Sequence, residues 1–137
     1  MTPPPEAIQL VRQWIAKAQE DIQTVDSLLR FPEECPAGVV CFHSQQCIEK
    51  YVKALLVLHS IPFPKTHDLI DLLRLVPMKA RPALPQTDLA LLNRYAVESR
   101  YPGDWGVITT EEALEAAAVA RRLREAIQRI LPQDVLQ

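Results

Sequence analysis

Glycine is scarce in this sequence, with three glycines against twelve prolines in 137 residues. Proline lacks a backbone N–H and breaks a helix from within, so the prolines must lie between helices or at their ends. The sequence also has no alternating apolar pattern longer than three residues. These absences argue against an all-β fold and favour helical segments separated by proline-containing connections.

Cysteine is equally scarce, and Cys35, Cys41 and Cys47 form no Cys-x-x-Cys pair. A spacing of six residues does not align them on one face of a helix, so we expect no metal site. An odd number of cysteines without such a pair is typical of reduced, buried thiols in a cytosolic protein. We therefore expect a cytoplasmic protein.

An excess of charge and a long apolar run are both missing. The formal net charge is −2, so no overall basic field would draw the chain to nucleic acid, and we expect no DNA partner. No stretch approaches the roughly 18 uncharged apolar residues of a membrane span. The opening MTPPPEAIQL is proline-rich and polar, unlike a signal peptide. We therefore expect no membrane partner.

The apolar residues recur with helical periodicity. The predicted helices span about 6–30, 36–59, 68–76, 88–99 and 110–131. Thr66 or Asp68 can cap the third helix, and Thr109 with Glu112 forms a capping box for the last. We expect an all-α fold, an up-and-down helical bundle of about five helices, three long and two short. One domain would cover 6–131, between a disordered lead at 1–5 and a C-terminal tail at 132–137.

The second predicted helix separates polar from apolar residues. His43, Gln46, Lys50 and Lys53 fall within an arc of roughly 80°, and the opposite side is apolar. Such a wide apolar face places a helix at the centre of a bundle. A narrow stripe of imidazole, amide and ammonium groups on it predicts an anion site, such as one for phosphate. The alternative is that Lys50 and Lys53 are solvated lysines whose stems pass the core.

Two further clusters carry polar chemistry. His67 lies in a loop before a helix N-terminus, which favours anions, and it could bind, donate or accept a proton near neutral pH. Its alternative role is a hydrogen bond to the backbone. Arg100 beside Tyr101 suits phosphate binding or base stacking, unless Arg100 caps carbonyls or pairs with Asp21. A glycine-rich phosphate loop, His-Glu-x-x-His and Gly-x-Ser-x-Gly are all absent.

Taken together, FHSQQCIEKYVKALLVLHSIPFPKTHDL and the later YAVESRYP resemble the HEPN domain of prokaryotes. WIAKAQEDIQ resembles the first helix of that family, with Asp21 at its acidic position. The resemblance spans about residues 10–131. The matching positions are Phe42, His43, Gln45, Gln46, Glu49, Lys50, Lys53, Thr66, His67, Asp68, Leu69, Arg100, Tyr101 and Pro102.

The resemblance implies a five-helix bundle that forms a homodimer. HEPN domains are commonly encoded beside, or fused to, a minimal nucleotidyltransferase, for which they are proposed to bind nucleotide or substrate. We therefore expect a nucleotide- or phosphate-binding partner of such an enzyme, with no cofactor other than a bound nucleotide and no metal. The expected phosphate-binding residues are Lys50, Lys53, His67, Arg100 and Tyr101, supported by His43, Gln46, Glu49 and Asp21.

Other HEPN branches are RNA-cutting toxins. In these, an arginine is followed by a polar residue and then by a histidine, which comes four to six positions after the arginine. Here YPGDWGVITT follows Arg100, Tyr101 replaces the polar residue, and no histidine follows. We therefore expect no catalytic residues. Two alternatives stay open: a ribonuclease toxin of a toxin–antitoxin pair, in which Arg100 acts with His67 or His43, and a non-catalytic dimeric scaffold.

Overall fold

The computed structural model describes residues 3–96 and 107–136. This part of the chain contains six α-helices and no strand, so the predicted all-α helical bundle is confirmed. Two short 3-10 turns, Pro32–Glu34 and Met78–Ala80, lie in the connections. The helices are α1 (Pro5–Leu28), α2 (Ala37–Leu58), α3 (Leu69–Leu75), α4 (Gln86–Asn93), α5 (Thr110–Ile130) and α6 (Gln133–Leu136).

Helix α2 is the centre of the bundle, because both α1 and α5 pack against it. On α1, the buried residues recur at alternating steps of four and three, as predicted from the periodicity. On α5, alanines that are fully buried in the first half permit close approach to α2, and larger aliphatic residues fill the core further along. These are Ala113, Ala116, Ala117 and Ala120, followed by Leu123 and Ile127. Ile130, the last residue of α5, is exposed.

Polar side chains fix the starts of two helices. Of the two predicted caps for α3, Asp68 is the N-cap, and its carboxylate accepts from the backbone N–H groups of Ile70 and Asp71. Asn93, at the end of α4, donates to the same carboxylate and accepts from the N–H of Leu69, so α4 is joined to the start of α3. The capping box of Thr109 and Glu112 is confirmed at the start of α5.

The fourth helix is shorter than the sequence predicts. Helix α4 was expected to reach Ser99 but ends at Asn93, followed by a turn at Arg94 and Tyr95. There the buried Tyr95 ring turns toward α5 and its hydroxyl donates to Glu112 at 3.1 Å, a tertiary contact that ends the helical register. Positions 97–99 of that predicted helix lie outside the described residues.

The predicted C-terminal tail contains α6, which packs against α1. Val135 is buried, and the guanidinium of Arg12 donates twice to the carbonyl of Asp134, at 3.0 and 2.7 Å. A four-residue helix is too short to produce a periodic apolar pattern, which is why sequence reasoning missed it. None of the helices within 3–96 and 107–136 combines the length and the apolar character that a membrane span requires.

Candidate functional site

Two buried carboxylates lie along the polar side of α2, and each holds one lysine and one histidine. The first is Asp21 of α1: its Oδ1 lies 2.7 Å from His43 Nδ1, and its Oδ2 accepts from Lys50 Nζ at 2.6 Å. His43 and Lys50 are seven residues apart, which is about two helical turns, so they point from the same side of α2 toward α1. We call these three residues the Asp21 cluster.

The second carboxylate is Glu49 of α2 itself. Lys53 donates to its Oε2 at 2.9 Å, and His67 Nδ1 lies 2.8 Å from its Oε1. Gln45 donates to the same Oε1 at 3.1 Å and to the backbone carbonyl of His67 at 3.0 Å. Gln46 donates to the side-chain oxygen of Gln45 at 2.7 Å. We call these five residues the Glu49 cluster.

Lys53 is enclosed on its remaining sides by two aromatic rings. Its ammonium lies 5.6 Å from the ring centre of Trp14 on α1 and 5.6 Å from that of Phe63 in the loop after α2. These distances are within the range of a cation–π interaction. Lys53 therefore links α1, α2 and the loop that carries His67, and only 11% of its side chain is exposed.

The charge of Glu49 determines how His67 is oriented. Burial by itself raises the pKa of the Glu49 carboxyl, but the hydrogen bonds from Lys53, Gln45 and His67 together outweigh it and hold the pKa below its ordinary value. Glu49 is therefore ionised at neutral pH and can only accept hydrogen bonds. Consequently the Nδ1 atom of His67 must carry the hydrogen, and Nε2 is the nitrogen that can bind or release a proton.

A carboxylate also orients His43. Because the Lys50 ammonium donates to one oxygen of Asp21, the other oxygen accepts the Nδ1 hydrogen of His43. Within the described ranges, no residue forms a hydrogen bond to His43 Nε2, and 27% of the side chain is exposed. The two clusters thus present oriented imidazoles, of which that of His67 is 35% exposed.

The electrostatics of the two clusters limit what they can bind. Two ammonium groups are matched by two carboxylates, so the clusters are neutral when both imidazoles are neutral and positive when either is protonated. An anion would therefore gain most from the imidazoles and from the remaining N–H groups of Lys50. Over 3–96 and 107–136, no group of three or more histidine, cysteine, aspartate or glutamate side chains could hold a metal ion.

Cys47 is a poor nucleophile. Burial, and secondarily the charge of Asp21, raises the pKa of its thiol to about 12. The thiol is therefore uncharged at neutral pH, and the thiolate is the reactive form. Cys47 and the equally buried Cys41 belong to the core rather than to the chemistry of the clusters.

The structure brings most of the predicted site residues together. His43, Gln46, Lys50 and Lys53 lie in the two clusters with Asp21, Glu49 and His67. The alternative of solvated lysines is wrong, because Lys50 and Lys53 form ion pairs with buried carboxylates and only 23% of the Lys50 side chain is exposed. The alternative of a backbone hydrogen bond is wrong for the Nδ1 atom of His67, which meets Glu49.

Two predicted residues cannot be placed, and three others contribute without having been predicted. Arg100 and Tyr101 lie outside the described residues. Gln45, Trp14 and Phe63 were not predicted as site residues, although they orient His67 and Lys53. The four-residue spacing of Gln45, Glu49 and Lys53 is the sequence signal that could have identified the Glu49 cluster. For Trp14 and Phe63 no local signal exists.

Comparison with known sequences identifies relatives over nearly the whole chain. The HEPN domain family model matches residues 11–130. A protein of Methanocaldococcus jannaschii with the name "Putative toxin MJ1304" is 32% identical over 142 residues. That alignment covers 92% of this chain and 91% of the archaeal protein.

Solved structures show the same fold. TT1696 from Thermus thermophilus superposes with a TM-score of 0.73 at 22% identity, which supports the fold alone. ST0689, described as an archaeal HEPN homologue, superposes with a TM-score of 0.67 at 26% identity. Each comparison covers 88% of this chain and 98% of the other.

Proposed function

Because this chain belongs to the HEPN domain family, we propose that it binds the phosphates of a nucleotide or a short RNA as the partner of a minimal nucleotidyltransferase. The observation that carries this proposal is the pair of carboxylate-oriented imidazoles, His43 and His67, beside α2. A charged imidazole or ammonium that is held in place binds phosphate with less loss of conformational entropy than a free side chain. The proposal includes a homodimer in the cytoplasm, for which the support is the family resemblance.

In this proposal each cation of the two clusters has a distinct role. Lys50 uses one N–H on Asp21, and an ammonium has two further donors for a phosphate oxygen. His43 and His67 contribute Nε2–H groups when protonated. Lys53 is enclosed by Glu49, Trp14 and Phe63, so we assign it the positioning of Glu49 and His67 rather than contact with the ligand.

Arg100 and Tyr101 complete the proposed site, on the basis of the family resemblance. A guanidinium can grip two phosphate oxygens at once, and a phenol can stack on a base or donate to a phosphate. Their partners would be the same phosphates that His67 and Lys50 meet. Arg100→Ala is therefore expected to weaken binding even though none of the described ion pairs would be lost.

The test is calorimetric titration with ATP, GTP and a short single-stranded RNA. His43→Asn and His67→Asn are the sharpest variants, because the asparagine amide can replace the Nδ1–H donor to the carboxylate while the Nε2 atom is removed. We expect binding by wild type and a loss of about ten-fold or more in these variants and in Arg100→Ala, since each removes a charge-assisted hydrogen bond. Lys17→Ala, which removes an exposed lysine of α1, is the matched control.

Binding that is unchanged in all three variants would show that the ligand site lies elsewhere. If none of the three ligands bound, the nucleotide-binding proposal itself would be wrong. Co-purification with a coexpressed minimal nucleotidyltransferase, and the mass of the complex by light scattering, would test the partner and the dimer separately.

A second candidate function is an RNA-cutting toxin, and the name of the 32% identical archaeal relative favours it. In this role His67 or His43 would take the proton from a ribose 2′-hydroxyl, and Arg100 would stabilise the negative charge that develops at phosphorus. A histidine whose Nδ1 is held by a carboxylate is oriented for that proton transfer.

Induced expression in a bacterial host tests the toxin role. We expect growth arrest and loss of RNA with wild type. We expect neither with Arg100→Ala, nor with the Asn variant of whichever histidine accepts the proton. Arrest that persists in Arg100→Ala and in both His→Asn variants would exclude this chemistry, as would normal growth on expression of soluble wild-type protein.

A further inference from the structure

A groove of about 300 Å³ lies between α3 and the N-terminal end of α4, and no residue of the Asp21 or Glu49 cluster lines it. Leu73, Leu84 and Leu89 give it an aliphatic lining. Arg74, Arg81 and Gln86 supply the polar groups around it. Its volume is at the lower end of the range for ligand pockets, which fits one or two inserted side chains better than a large metabolite.

Arg81 is held rigidly in this groove by backbone carbonyls. Its Nε and Nη2 donate to the carbonyl of Val76 at 3.0 and 2.8 Å, and Nη2 also donates to the carbonyl of Arg74 at 3.0 Å. These acceptors are neutral, and within residues 3–96 and 107–136 Arg81 forms no ion pair with a carboxylate. Over the described ranges, Nη1 has no hydrogen-bond partner. The Arg81 guanidinium is therefore fixed in the groove, and its Nη1 group can donate hydrogen bonds to a ligand.

We propose that this groove binds a partner protein through a segment in which a carboxylate stands next to a large aliphatic side chain. The aliphatic side chain would pack against Leu73 and Leu89, and the carboxylate would accept from the Nη1 group of Arg81. Among the described residues no aromatic ring lines the groove, so this part of the chain offers a nucleobase no stacking surface of the kind that single-stranded nucleic acid requires.

Charge and exposure around the groove agree with an acidic partner. The lining of the groove carries Arg74 and Arg81 and, among the described residues, no acidic side chain, so the groove attracts negative charge although the whole chain is acidic. Met78, in the turn after α3, is 82% exposed and adds a large apolar side chain to the same region. Methionine adapts its shape readily, which suits a binding surface.

The first experiment selects peptides from a random heptapeptide library displayed on phage. In the Ala83→Trp variant, a large ring at an exposed position of the lining fills the groove. Peptides that bind this variant are first removed from the library, and the remaining library is then selected on the wild-type protein. We expect enriched peptides to carry Asp or Glu within two positions of Leu, Ile or Met. Enrichment of basic or purely aromatic peptides, or none beyond the depleted library, would overturn the proposal.

The second experiment measures the affinity of the best peptide for two charge variants by NMR titration. Gln86→Glu places a carboxylate in the groove, and Thr87→Glu places one at the next position, which does not line it. Both acids lie in the first turn of α4, where negative charge favours the helix, so both variants should fold. We expect about five-fold weaker binding for Gln86→Glu, because like charges repel at short range, and a smaller change for Thr87→Glu.

Equal effects of the two variants would show that the peptide does not enter the groove. Replacing the peptide carboxylate by its amide should weaken binding at least as much as Gln86→Glu does, and unchanged affinity would contradict the role of Arg81. Chemical-shift changes at the groove with ATP or RNA, and none with the acidic peptide, would show that the groove takes nucleotides instead.

Discussion

The Asp21 cluster and the Glu49 cluster are both built around a carboxylate that holds a lysine and a histidine, but they join different parts of the chain. Asp21 connects α1 to two separate turns of α2, so its contacts span 22 and 29 residues of sequence. Glu49 pairs with Lys53 one turn away and with His67 in the following loop. The first cluster therefore fixes how two helices cross, whereas the second fixes a loop on a helix.

The two clusters also differ in their access to water. The lysine of the Asp21 cluster is the more accessible one, since 23% of the Lys50 side chain is exposed against 11% for Lys53. A partly exposed cation can be resolvated when its carboxylate is lost, but an enclosed one cannot. Loss of Glu49 should therefore destabilise the fold more than loss of Asp21.

The largest effect is expected for Glu49→Ala. It leaves the Lys53 ammonium enclosed without its carboxylate and removes the acceptor for Gln45 and His67. Breaking a buried ion pair in this way costs about 3–5 kcal/mol of unfolding free energy. Urea denaturation followed by circular dichroism measures it, with the exposed Glu20→Ala as the control. A loss no larger than that of the control would contradict the role of Glu49.

A smaller loss is expected for Asp21→Ala, about 1–3 kcal/mol, which is the range for a buried polar group that loses its partner. Lys50 and His43 can both turn toward water, so their charges and donors are not stranded. The same urea measurement applies. If Asp21→Ala cost more than Glu49→Ala, the helix-crossing contact would outweigh the loop contact, and the comparison would be reversed.

The third prediction concerns acid. The pKa of Glu49 is lower in the folded protein than its ordinary value of 4.5, so as the pH falls the unfolded state binds the proton before the folded state does. The stabilisation from this carboxylate is complete above about pH 4.5 and is lost as the pH falls through the lower folded pKa. We expect Glu49→Gln to flatten the decline in urea midpoint as the pH is lowered from neutrality through this range.

Glu20→Gln, at an exposed position, is the matched control for this pH series. It should leave the pH dependence of the wild type unchanged. A Glu49→Gln profile parallel to that of the wild type would mean that other carboxylates carry the acid sensitivity.

The smallest effect is expected for Phe63→Leu, which keeps an apolar side chain in the loop but removes one of the two rings beside the Lys53 ammonium. A cation–π contact contributes about 0.5–1 kcal/mol. Phe31→Leu changes a ring that is exposed and is the matched control. Faster amide hydrogen exchange around His67, without a change elsewhere, would show that the ring holds the loop; unchanged exchange would assign that task to the hydrogen bonds with Gln45 and Glu49.

Local patterns in the sequence predicted the parts of the molecule that depend on neighbours within a few turns. The repeat on α1, the cap at Asp68 and the capping box at Thr109 all follow from spacings of three and four residues. The resemblance to the HEPN domain added Glu49 as a supporting residue. Its role as the centre of a cluster became visible only when the positions of Lys53 and His67 were known.

The remaining features depend on contacts between distant parts of the chain. Helical periodicity gives the polar side of α2 but not the register in which α1 crosses it, so Asp21 could not be matched to Lys50 from sequence. Helix α4 ends early because Tyr95 meets Glu112. The polar stripe of α2 predicted its cations but not the partner of Lys50, because a one-dimensional pattern does not reveal a buried carboxylate on another helix.

The contact between Arg12 and the carbonyl of Asp134 has a mechanical consequence. Pro5, where α1 begins, is seven residues from Arg12, roughly 10 Å along the helix. A protein fused before α1 or after α6 would therefore be attached at the same pole of the bundle. A pulling force applied at the start of α1 and the end of α6 would act directly on this contact.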